Sequence, residues 1–147
     1  MSDPHAIIKH IVIGKFTGFF IGMIGFFSLP ILIPDTSLMF LSGFVLWYTT
    51  MGAVIGVFCY INWYPILGRP ISWWFISAYI GIWMNFIQTL ISFDKFKEIS
   101  TIIFGTNSIL SSPFWFILEG AIVGLIIGCF ITHFAGKDKN LITSETK

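Results

Sequence analysis

The sequence predicts an all-α integral membrane protein that crosses the bilayer four times as two antiparallel helical hairpins, with no sizeable soluble domain. Three observations carry this. Hydrophobic residues make up 56% of the chain and charged residues only 10%, against about a quarter charged in a soluble domain. Mean hydropathy is +0.88. Charge-free runs such as Phe16 to Ile33 and Ile71 to Phe93 exceed the ~18 apolar residues that mark a membrane span. Read as one domain over residues 1–147, the chain places its spans at about 11–29, 38–61, 72–93 and 113–134.

Span one starts at Ile7 or Ile11 and is expected to stop at Leu29, because Pro30 and Pro34 lack amide donors. The stretch Met1 to Lys15 carries Asp3, Lys9 and Lys15, and the apolar run after it has no small-residue cleavage pattern. The first span is therefore expected to be retained rather than removed as a signal peptide. Met1-Ser2 lacks the glycine of a myristoylation site, and Lys15 reaches the interface by snorkelling. Asp35-Thr36-Ser37 forms a turn that caps span two, Leu38 to Ile61. That span ends at Asn62-Trp63-Tyr64-Pro65, whose Trp and Tyr suit the interfacial aromatic belt.

The compact loop Gly68-Arg69-Pro70 leads into span three, Ser72 to Phe93. Asp94, Lys95, Lys97 and Glu98 end that apolar run, and Phe96 to Phe104 mixes charged with apolar residues as a short interfacial helix does. Pro113 opens span four, which runs to Phe134 ahead of Gly136-Lys137-Asp138-Lys139. With an even number of spans, Lys9, Lys15, Arg69, Lys137, Lys139 and Lys147 share one side, while only Lys95 and Lys97 fall opposite. The positive-inside rule then puts both termini in the cytoplasm, in a cytoplasmic (inner) membrane.

Small residues form the clearest pattern. Gly14, Gly18 and Gly22 in span one, Gly52 and Gly56 in span two, and Gly120, Gly124 and Gly128 in span four repeat every four residues. That spacing lines them along one helix stripe, where backbones approach closely; tight packing is the ordinary use, a pore or sliding surface the alternative. Gly52-Ala53-Val54-Ile55-Gly56 also resembles Gly120-Ala121-Ile122-Val123-Gly124, as a duplicated hairpin would, although Cys59 and Cys129 fall out of register.

Glu119 is the most informative single residue, since a lone carboxylate inside a span is costly and needs a partner or a proton. Counting along the helices places Asn85 and Gln88 of span three at its depth, on one face with Ser77, Gly81 and Ser92. The expectation is an intramembrane cluster of Glu119, Asn85 and Gln88, with Thr49 or Thr50 as further partners. Such a cluster serves either as a hydrogen-bonded clasp or as a proton or ion site.

Other chemistry finds little support. A formal net charge of +1 with no Lys/Arg cluster excludes nucleic-acid binding. Cys59 and Cys129 lie inside apolar runs without CxxC spacing and read as core residues. His5, His10 and His133 fall at the cytoplasmic surface, yet no ligand spacing supports a metal or a haem between His10 and His133. GxSxG, phosphate-loop and dinucleotide motifs are missing, and no cofactor or enzymatic activity is expected. Two readings remain: a structural or accessory subunit packed against the lipid bilayer and other membrane subunits or itself, or a small homo-oligomeric ion or proton transporter built on Glu119.

Overall fold

The computed structural model describes residues 4–61, 63–64 and 69–136. The expectations placed on Asp3, Asn62, Pro65, Gly68, Lys137, Asp138, Lys139 and Lys147 lie outside the described residues, as do the side chains of Trp63, Tyr64 and Arg69. The protein is a multi-pass membrane protein and an all-helical bundle: α1 (Pro4–Leu32), α2 (Leu38–Tyr60), α3 (Trp73–Ile91), α4 (Phe93–Phe104) and α5 (Trp115–Ala135). Of these, α1, α2, α3 and α5 are long and apolar enough to cross a membrane. A two-residue antiparallel pairing of β1 (Trp63–Tyr64) with β2 (Arg69–Pro70) closes the link between α2 and α3.

Local chemistry sets the helix ends. Pro4 opens α1, earlier than expected, because proline suits a first helical position whose amide would be unbonded anyway. Pro30 does not stop that helix. It sits in the last turn and forgoes the bond its amide would make to the Phe26 carbonyl, but little helix remains to be disrupted beyond it, and Ile33 N still donates to Leu29 O at 2.8 Å. Ser37 caps α2 as expected, its Oγ accepting from Phe40 N at 3.2 Å. Span three ends at Ile91; Ser92 breaks the helix and α4 follows at once, from Phe93 rather than Phe96. Gly105 ends α4 at φ 82°, a backbone conformation that favours glycine.

The spans pair as two hairpins, α1 with α2 and α3 with α5, and the glycines explain how. A Cβ added at Gly14 would strike the Gly52 carbonyl, and one at Gly18 the Tyr48 carbonyl. Gly22 lies on Val45 and Gly56 on the His10 carbonyl. In the second hairpin Gly120 lies on Gly81, Gly124 on the Ser77 carbonyl, and Gly128 on the Ser77 side chain. All eight stripe glycines thus face helices of their own chain, through contacts that only a missing side chain allows.

The two hairpins use one packing scheme. Gly14 meets Gly52 as Gly81 meets Gly120, and His10 underlies Gly56 as Ser77 underlies Gly124. The position of Gly18, aimed at the Tyr48 carbonyl, is filled in the second hairpin by Asn85, whose amide donates to the Phe116 carbonyl at 2.8 Å. Between the hairpins lie the fully buried side chains of Met51, Ile55, Ile127 and Ile131, with α1 against α5 and α2 against α3.

Candidate intramembrane polar site

The site forms at the end of the bundle where α4 lies, and three spans supply it. On α2, Tyr48 follows the same stripe as Gly52 and Gly56, so it points at the partner helices and is only 1% exposed. On α3, Ser77, Gly81, Asn85, Gln88 and Thr89 are all buried, so the polar stripe turns inward. On α5, Glu119 precedes Gly120, whose lack of a side chain lets α3 approach closely enough for Asn85 to reach across.

Tyr48 OH donates to the Glu119 carboxylate, lying 3.1 Å from both Oε1 and Oε2. Asn85 Nδ2 donates to the Phe116 carbonyl at 2.8 Å and lies 3.4 Å from both Tyr48 OH and Glu119 Oε2. One tyrosine hydrogen and one long amide contact therefore serve a group with about four acceptor positions. Asn85 Oδ1 is buried without a hydrogen-bond partner.

The structure brings Glu119 and Asn85 together. Gln88 is buried nearby but makes no hydrogen bond to the cluster, and its Oε1 has no partner. Thr49 and Thr50 do not join either: each hydroxyl bonds back to its own helix at 2.8 Å, to the Val45 and Leu46 carbonyls. The α2 member is Tyr48, which the sequence reading missed. Its signal was present, since Tyr48 precedes Gly52 by one helical step of the stripe.

Glu119 also borders a groove of about 310 Å³ between α4 and α5, lined by Ser100, Phe104, Trp115, Phe116 and Leu118 among others. Ser100 is 1% exposed and its Oγ has no partner. Phe96, also deeply buried, anchors α4 over this region, its ring centroid 4.2 Å from that of Phe116 and 6.3 Å from that of Phe40. Lys95 and Glu98 pair at 3.0 Å on the exposed face of α4.

The other candidates lie apart. His10 is buried rather than at the surface: Nδ1 lies 2.8 Å from the Ala6 carbonyl and the ring meets Tyr60 edge-on. His133 is exposed beside Phe134. Among the described residues, no three His, Cys, Asp or Glu side chains cluster as metal ligands. Cys59 Sγ lies 3.5 Å from Ser77 Oγ, and Cys129 is exposed.

No family model matches the chain, and no solved structure matches it. It is 29% identical over 109 residues to the cobalamin biosynthesis protein CobD of Streptococcus sanguinis (strain SK36). That match covers 73% of this chain and 31% of CobD, so the chain spans about a third of the length of the curated relative it matches.

Proposed function

We propose that this chain is a non-enzymatic structural or accessory subunit of a larger membrane assembly, with Glu119 acting as a clasp between its spans. The observation that carries this is the hydrogen-bonding of the polar residues. Tyr48, Asn85 and Glu119 tie α2, α3 and α5 together. Thr49 and Thr50, next to Tyr48 on α2, and Ser77, about two turns along α3 from Asn85, turn their hydroxyls onto carbonyls of their own helices. A proton or ion path needs polar groups continuing through the membrane, and the side chains that follow inward from the cluster, Met51, Ile55, Ile127 and Ile131, are apolar.

The glycine stripes are used within the chain, so partner subunits would meet its aromatic exterior, where Phe16, Phe20, Phe27, Trp74 and Trp83 are exposed. The Lys/Arg asymmetry supports insertion in a cytoplasmic (inner) membrane with both termini in the cytoplasm. The likeness to CobD makes membrane assemblies serving cobalamin biosynthesis the first place to seek those partners.

Reconstitution into liposomes tests the proposal. The purified protein should pass no more protons or potassium than empty vesicles, and Glu119→Gln should leave its detergent elution profile unchanged. A cation or proton flux that the parent supports and Glu119→Gln abolishes would establish the transporter reading instead.

A further inference from the structure

We propose that the groove between α4 and α5 binds a lipophilic primary alkylammonium, its charge against the Glu119 carboxylate and its apolar body along Phe104, Trp115 and Leu118. This goes beyond the clasp, which concerns only the face of Glu119 turned towards Tyr48 and Asn85. The carboxylate is under-bonded there: a single tyrosine hydrogen is shared between its two oxygens at 3.1 Å each, and the amide contact is long at 3.4 Å. Its remaining acceptor positions are left for the groove that it borders.

Charge complementarity fixes the sign of the occupant. Among the described residues the ion pair of α4 joins Lys95 to Glu98, Lys97 is exposed, and no basic side chain lines the groove beside Glu119. An unpaired carboxylate inside a span is costly, and a bound cation offsets that cost. Ser100 supplies the second polar point, since its buried and unpartnered hydroxyl oxygen can accept an ammonium N–H.

The walls fix the rest. Phe104, Trp115 and Phe116 line the groove, and aromatic rings attract organic cations. Two carboxylate oxygens and one hydroxyl are too few for a bare calcium ion, which takes about 6–8 oxygen ligands. The volume of about 310 Å³ lies at the small end of small-molecule sites. Ile103, Phe104, Leu118 and Ile122 are exposed on the apolar exterior, so the ligand arrives from the bilayer and must partition into it.

Calorimetric titration of the full chain in a non-ionic detergent with 2-phenylethylammonium, and with the uncharged 2-phenylethanol, provides the test. The ammonium should bind saturably and about ten-fold or more tighter than the alcohol, as loss of a charge-assisted contact implies. Glu119→Gln should lose that preference while eluting as the parent does. Leu118→Trp, at a position 51% exposed, should block the groove without touching the clasp. If Glu119→Gln fails to fold, the clasp reading falls and Leu118→Trp still decides the groove. Equal affinity for ammonium and alcohol, no saturable binding, or undiminished binding by either folded variant would overturn the proposal.

Discussion

Gly52 and Gly43 lie on the same helix, and one substitution should act on them with opposite sign. Alanine is favoured over glycine in a helix by about 0.8–1.0 kcal/mol. At Gly43 an added Cβ meets nothing within 4 Å, so Gly43→Ala should be neutral or more stable by up to that amount. At Gly52 the same Cβ runs into the Gly14 carbonyl, and a helix backbone cannot swing aside as a flexible side chain would. The α1–α2 contact must open, and a gap of 0.5–1 Å forfeits roughly a quarter to a half of each dispersion contact along it. Overpacking of this kind costs about 1–3 kcal/mol. Propensity cancels between the two variants, so Gly52→Ala should be about 1–3 kcal/mol less stable than Gly43→Ala. Unfolding by SDS titration in mixed micelles, followed by far-ultraviolet circular dichroism, measures the difference directly. A Gly52→Ala midpoint equal to or above that of Gly43→Ala would refute the close approach of α1 and α2.

Three further outcomes are expected. Tyr48→Phe removes the hydroxyl that bonds Glu119 and should cost about 0.6 kcal/mol, and no more than about 1.7, in the same titration, as interhelical hydrogen bonds in membranes do. Phe96→Ala empties the buried site between Phe40 and Phe116; it should cost about 3–5 kcal/mol and speed amide exchange selectively in α4. Reporter fusions after Lys139 should read as cytoplasmic and those near Asn107 as external, and a cytoplasmic signal near Asn107 would reject the orientation drawn from the lysines and arginine.

The polar site was half legible. Helical arithmetic brings Glu119 and Asn85 to one depth, because rise per residue is fixed and both spans start at clear signals, Pro113 and Ser72. Rotation about the helix axis is a weaker inference. Asn85 and Gln88 share a face of α3, yet only Asn85 stands opposite Gly120, where the backbones close up enough for a short side chain to cross. Tyr48 escaped notice because tyrosine in a span reads as an interfacial residue, whereas its place on the Gly52–Gly56 stripe made it a buried one. Ser100 gave no signal, since its burial depends on how α4 lies over α5.

The sequence by itself determined the fold class, the four spans, the short helix α4 except for its start, and the capping of α2, because apolar run length, Ser37 and the charged breaks act within a few residues of where they stand. It also marked the eight glycines as contact points. Which residue each glycine meets, and so the register of α1 against α2 and of α3 against α5 within the expected hairpins, was decided only by the tertiary structure. Glycine at four-residue spacing states that some backbone comes close without saying whose, since a missing side chain carries no complementarity of its own. The same holds for Glu119: the cost of a carboxylate in a span is written in the chain, but its partners depend on which faces the closed glycine contacts turn towards it.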